Sequence, residues 1–193
     1  MIKAICDSFN TNLNNKNNKF EGIMLSNRMQ QELNNQINAE FWSAYLYLSM
    51  TAYFEGKNLS GFANWMNIQY QEETTHAIKL FKYVYERGGS VKLKPIDKVQ
   101  TSWEDEIEVF QDTLDHERKV TALINNLVNI AIEEKDHATN NMLQWFVSEQ
   151  VEEEAGVEEI LGQLKMLEGN KHGLLMLDRE LKQRVFVDET VIN

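Results

Sequence analysis

Gln71-Glu72-Glu73-Thr74-Thr75-His76 lies inside a long helical pattern, and its reading decides the fold. Glu73 and His76 are three apart, so they project from one face of a helix. A carboxylate and an imidazole on one face make half of a metal site. The pair alone says little, because solvated Glu–His neighbours are common on helices. Its weight depends on which face it occupies, and on whether other helices bring acids to meet it.

Around it runs the seam Phe62, Met66, Gln69, Glu73, His76, Leu80, Tyr83, which advances by threes and fours as a core-facing helix does. The motif is therefore on the inside. Ser60 is the expected N-cap, and Arg87-Gly88-Gly89 the expected end, a basic last turn followed by glycine. Upstream, residues 25–55 carry the seam Leu33, Ile37, Glu40, Ala44, Leu48, and the short turn 56–59 implies an antiparallel pair.

Downstream, residues 88–101 form a 14-residue connection containing Pro95, which is long for a compact domain. A helix of ~27 residues is roughly 40 Å long. Fourteen extended residues reach roughly 46 Å, enough to cross the whole length and leave the flanking helices parallel. Ser102 is the expected cap of a third helix over 103–131, with the seam Ile107, Phe110, Leu114, Glu117, Thr121, Ile124, Val128. Asp136 is the expected cap of a fourth, with Met142, Phe146, Glu149, Glu153, Val157, Ile160, Leu164 and an end at Glu168-Gly169-Asn170. Residues 174–184 read as a short fifth helix. The order is an all-α, four-helix bundle with one long crossover and a short C-terminal fifth helix.

Composition agrees. One Pro and nine Gly in 193 residues favour long helices. A net charge of −11 argues against nucleic acid or an anionic membrane as partner, and suits cations. No apolar run approaches the ~20 residues of a membrane span, and no secretory signal is recognisable. A cytoplasmic protein is expected. Cys6 is the sole cysteine, so no disulfide framework forms within one chain. Residues 1–23 differ in kind: six of the ten residues from position 10 to 19 are Asn, which reads as a disordered extension. The abrupt change suggests an upstream start, with the functional domain over 24–193 and Met24 as the native first residue. Native protein whose intact mass begins at Met1 would remove that expectation.

Glu40, Glu73, Glu117 and Glu153 each take a seam position near the middle of a helix. Mid-helix positions meet at one level, so four carboxylates and one imidazole converge in the core. Each uncompensated buried carboxylate costs several kcal/mol, and the arrangement needs cations. Oxygen ligands with one nitrogen suit Fe or Mn better than structural zinc, and Glu73 is the natural bridge between two ions. The bland alternative is a seam Glu that snorkels at a helix end or pairs with a Lys. Four mid-helix acids without a seam Lys or Arg disfavour it.

A second acidic group lies on the fourth helix. Of its acids, Glu154, Glu158 and Glu159 read as a solvated face, whereas Glu149 and Glu152 share the face of Glu153. With Glu72, these form a weaker candidate for a further cation site. Tyr47, two turns after Glu40, is either a core aromatic or a partner of a metal ligand. Trp145 admits the same two readings, with packing favoured. His116 points about 100° away from Glu117 and is expected at the surface, and His137 and His172 look incidental.

The stretches Asn38-Ala39-Glu40-Phe41-Trp42-Ser43-Ala44-Tyr45-Leu46-Tyr47, Gln71 to His76, His116-Glu117 and Leu143 to Glu154 together resemble the bacterial non-haem ferritins. The likeness covers residues 24–184. It implies a hollow homo-oligomeric 24-subunit cage that oxidises ferrous iron with dioxygen or peroxide and stores it as a ferric mineral. Carried over by motif, Glu40, Glu73 and His76 hold the first iron. Glu73 bridges to the second, held by Glu117 and Glu153 with Gln150 alongside. Glu72, Glu149, Glu152 and Glu153 match the third iron site of bacterial members, and Tyr47 matches the family tyrosine near the di-iron centre.

Departures from related families narrow the reading. Bacterioferritins and di-iron oxygenases repeat Glu-x-x-His on a second helix, but helix four here has Gln150 and Glu153 without a His. Thr74 stands where bacterioferritin has its haem-binding Met, so haem is not expected. One Cys cannot build the extra iron domain of rubrerythrins. Asn140 and Leu143 replace the channel acids of animal ferritins, which leaves the path of iron into the shell open. The rival readings are a di-iron oxidase of a small organic substrate and a metal-free helical assembly protein.

Overall fold

In a computed structural model, residues 24–167, 169–188 and 190 are described, and they form five helices and no strand. These are α1 Asn27–Gly56, α2 Ser60–Glu86, α3 Glu106–Glu133, α4 His137–Leu167 and α5 Lys171–Leu181. The expectations for residues 1–23 and for Glu168 lie outside the described residues.

Pairing follows from contacts at the ends. Ser26 and Arg28, at the start of α1, bond to Glu134 and Glu133 at the end of α3. Lys57, just past the end of α1, reaches Glu106 at the start of α3. Helices α1 and α3 are thus antiparallel, and since α1 and α2 join by a short turn, α2 and α3 run parallel. The crossover from Arg87 to Asp105 lies along α1. Asn34 accepts from Lys92 N–H at 2.6 Å and donates to the Ser90 carbonyl. Asn38 donates to the Pro95 carbonyl, and Ser49 to the Gln100 carbonyl. Polar residues on the outer face of α1 thereby satisfy the backbone of a segment with no ladder of its own.

Most seam positions are buried, but Tyr83, Ile107, Thr121, Val128, Met142 and Glu149 are half-buried, and on α4 Leu143 and Gln150 take inner positions that the seam gave to Met142 and Glu149. Leu48 is exposed and Tyr47 takes its place inside, because Tyr47 falls on the same face as Glu40 and Ala44. One expected cap and one expected helix start are displaced. Helix α3 starts at Glu106, capped by Asp105, whose carboxylate accepts from Glu108 N–H, and Ser102 stays in the connection. Helix α5 starts at Lys171 rather than 174, with Asn170 accepting from His172 and Gly173. Asp136 does cap α4, accepting from Thr139 N–H at 3.1 Å. Gly88 has φ +69° and ends α2, its neighbour Gly89 donating back to the Val84 carbonyl.

Helix α2 is capped from a distance. Ser60 does not cap it. Instead the buried Asp178 of α5 accepts from Gly61 N–H at 2.7 Å and Phe62 N–H at 3.2 Å. A charged acceptor on a helix N-terminus satisfies orphan donors and meets the positive end of the dipole. Gly61 is required there, since a Cβ would fall 1.5 Å from the Asp178 carbonyl oxygen. Asp178→Ala is expected to cost about 1–2 kcal/mol, seen as a lower urea midpoint. An unchanged midpoint would exclude the long-range cap.

The core divides along the bundle. One cluster centres on Phe54, Phe62, Phe110 and Trp65, the other on Leu33, Leu80, Ile124 and Phe146. Between them sits a polar layer.

Candidate metal centre

The polar layer is built from one acid per helix, with one histidine added on α2. Glu40 on α1, Glu73 and His76 on α2, Glu117 on α3 and Glu153 on α4 are all buried. Ligand atoms of Glu40, Glu73 and His76 lie within 4.8 Å of one another, and among the described residues this trio is a group able to hold a metal ion. One oxygen each of Glu40 and Glu73 is buried without a hydrogen-bond partner. Native interiors pair such atoms with few exceptions, and a cation is one way to do so.

Glu117 and Glu153 stand beside the trio, each tied to a neighbour. Tyr47, fully buried, donates its hydroxyl to Glu117. Gln150 donates to the same carboxylate at 3.2 Å, and is within reach of Thr121 Oγ1. Gln69 donates to Glu153 at 2.6 Å, and Gln36 to Glu40 at 2.9 Å. Each of these three acids thus has an amide or hydroxyl aiming one oxygen, as the supporting groups of metal ligands do. Gln69 and Gln36 were not singled out as site residues by the sequence. The signal was present: each lies four residues before an acid on the same helix face.

Burial sets the protonation. It raises Glu40, and raises Glu73 well above the ordinary carboxylate range, the Glu40 and Glu117 carboxylates adding to the effect. It raises Glu117 to about 7, and Glu153 well upward with Glu117 and Glu72 nearby. Burial, then Lys79, lowers His76 to about 4, so the ring is neutral with a lone pair to give. Trp145 and Phe146 meet that ring edge-on at 5.3 and 5.9 Å and fix its plane. Burial and the Glu117 charge push the Tyr47 phenol well up, keeping it a donor. The layer can therefore take up a divalent cation in exchange for carboxyl protons.

The members of the second acidic group differ in burial. Glu153 is buried, Glu72 and Glu149 are half-buried, and Glu152 is exposed. Arg184, beyond α5, grips both oxygens of Glu72 at 2.8 and 3.1 Å, and Lys79 feels the Glu149 charge. His116 is a correction to the reading above: it is half-buried, hydrogen-bonds Ser43 Oγ at 2.8 Å and packs on Trp42 and Tyr47. Bulky neighbours on α1 cover a ring that helix periodicity alone sends outward. Trp145 packs against Phe146 and carries Lys79 over its face.

Comparison with known proteins points the same way. Residues 30–167 match the family model of the ferritin-like domain. A bacterial non-heme ferritin of Bacteroides fragilis (strain 638R) is 46% identical over 161 residues, covering 83% of this chain and 100% of that protein. One from Staphylococcus aureus (strain MRSA252) is 35% identical over 166 residues, covering 86% and 100%. Among solved structures, an engineered closed form of the Archaeoglobus fulgidus ferritin superposes with a TM-score of 0.83 at 48% identity, over 84% of this chain and 99% of that one. The open pore ferritin of the same archaeon gives 0.83 and 48%, over 83% and 99%. With four helices in this order around one acidic layer, and relatives alike over their full length, the chain belongs to the ferritin family.

Proposed function

We propose that the protein oxidises Fe²⁺ at a di-iron centre and stores the ferric product as a mineral inside a closed homo-oligomeric shell, expected to have 24 subunits. The observation that carries this is the trio Glu40, Glu73 and His76, with ligand atoms within 4.8 Å, beside the buried carboxylates of Glu117 and Glu153. The first Fe²⁺ takes Glu40, Glu73 and the neutral His76. Glu73 bridges to the second, which Glu117 and Glu153 hold, with Gln150 orienting Glu117. The unpartnered oxygens of Glu40 and Glu73 then have their cation.

Each iron gives one electron. Two Fe²⁺, O₂ and two protons give two Fe³⁺ and H₂O₂, while peroxide as oxidant yields two waters. Pairing the metals lets the oxidant accept two electrons together, and the hard carboxylate set favours the ferric product. Tyr47, donating to Glu117, positions that ligand and stands where an electron could be supplied. Thr74 offers no thioether, so the reading includes no haem. It takes residues 24–193 as one cytoplasmic iron-handling domain. Among the described residues, no helix is long and apolar enough to cross a membrane.

An aerobic iron-loading assay combined with size-exclusion mass tests the proposal. A ferritin forms a very large shell and takes up far more iron than its sites can ligate. A small oligomer, or uptake that stops at two ions per subunit, would favour the small-substrate oxidase. Tyr47→Phe is expected to slow initial oxidation about tenfold, the scale of losing one supporting hydrogen bond to a ligand. Fe²⁺ binding stoichiometry should be retained, and an unaltered rate would leave Tyr47 a packing residue.

A further inference from the structure

The residues after α5 turn back over α2, and the chain fastens them there. The Asn64 amide donates to the carbonyls of Leu181 and Arg184 at 3.2 and 3.0 Å. Lys79 Nζ donates to the Thr190 carbonyl at 3.2 Å. Between these anchors, the Arg184 guanidinium lies 4.9 Å from the centre of the Trp65 ring. One of its nitrogens spans both oxygens of Glu72, and another donates to the Gln69 side-chain oxygen Oε1. Gln69 in turn donates to Glu153 at 2.6 Å.

Arg184 is therefore a monovalent cation inside the acidic group that the ferritin resemblance assigns to a third iron. It engages Glu72 directly and Glu153 through one amide. A planar guanidinium on a carboxylate in a half-buried place is a strong, oriented pair. A divalent ion seeking Glu72 meets both a blocked ligand and a like charge.

We propose that Arg184 sets how many iron ions the subunit binds, by acting as a built-in counterion at the outer carboxylates Glu72 and Glu153 that an ion must displace to bind there. The inference rests on the di-iron reading for the first two ions, and concerns only the third. Loss of packing at Arg184 would loosen the site and weaken binding. Removal of a competing cation has the opposite sign.

The experiment is anaerobic Fe²⁺ titration of the metal-free assembled protein by calorimetry, comparing wild type, Arg184→Leu and Arg184→Lys. In Arg184→Leu the third ion should bind about tenfold tighter or more, as expected when a like charge a few ångströms away is removed. Arg184→Lys keeps the charge and should stay near wild type. Adding Glu72→Gln to Arg184→Leu should abolish the gain. A third ion bound equally tightly by wild type and Arg184→Leu, or a gain that survives Glu72→Gln, overturns the proposal. If neither protein binds the first pair, the di-iron reading fails instead, and the gain or absence of one ion in Arg184→Leu still decides the role of Arg184.

Discussion

Glu73→Ala should reduce the initial rate of Fe²⁺ oxidation by more than ~100-fold, beyond the ~10–100-fold that a supporting residue of a metal site costs. The shell should still assemble. In the proposed centre Glu73 would join both ions: it shares the buried trio with Glu40 and His76, and it faces the charges of Glu117 and Glu153. Removing it would separate the two proposed metals, and a single Fe²⁺ gives only one electron to the oxidant. Assembly is spared because the substitution takes away a buried acid with an unpartnered oxygen, not an apolar contact. Stopped-flow absorbance of the ferric product, beside size-exclusion mass, reads both halves. Rates within a few-fold of wild type would sink the assignment of the centre.

The second large effect is on stability. The folded-state pKa of Glu117 is raised to about 7 from 4.5 by burial, and burial also raises Glu40, Glu73 and Glu153. A raised carboxyl means that the native state holds more protons than the unfolded chain above the unfolded pKa. Stability of the metal-free protein then falls as pH rises from about 4.5 to about 7, and Glu117 adds nothing further above that. His76, lowered to about 4, acts in the other direction, destabilising the fold as pH falls below its ordinary 6.5. Several carboxyls outweigh one imidazole over the shared window.

A bound divalent cation replaces the protons and removes this slope. At a hundredfold excess over its dissociation constant it stabilises by about 2.7 kcal/mol. For a chain of this size that is about 5–10 °C in the unfolding midpoint. The shift should be larger near pH ~8 than near pH ~5 and absent in Glu73→Ala. Calorimetric scans with and without Mn²⁺ check it. Equal midpoints at the higher pH would mean that the acidic layer binds no ion.

Much of this was legible along the chain. The seams of α1 to α4 carry their acids at mid-helix, and the long connection around Pro95 has the reach of a crossover. Helix periodicity is a local property, and motif spacing records which face a side chain takes. Gln36 was visible in principle, four residues before its partner Glu40 on one helix, whereas the acid that Gln69 meets, Glu153, lies on another.

Errors arose where the partner lies elsewhere in the chain. Ser60 has the right chemistry for a cap, yet Asp178, 117 residues from Gly61, takes the position because α5 packs its carboxylate onto those amides. His116 faces outward on its own helix, but Ser43 and Trp42 of α1 cover it. Leu48 gave way to Tyr47, whose hydroxyl donates to Glu117 on another helix.

The opening hexapeptide shows the division. By itself the sequence placed Glu73 and His76 on a core-facing seam, and put one acid at mid-helix on the seam of each of three other helices, because 3.6 residues per turn keeps residues three and four apart on one face. It also marked Glu72 as an acid beside that centre. Only the tertiary structure decided what Glu72 does there. Its partner Arg184 is 112 residues away, carried back by a segment with no periodicity of its own. Charge pairing across such a distance depends on where the chain returns, and no local pattern encodes that.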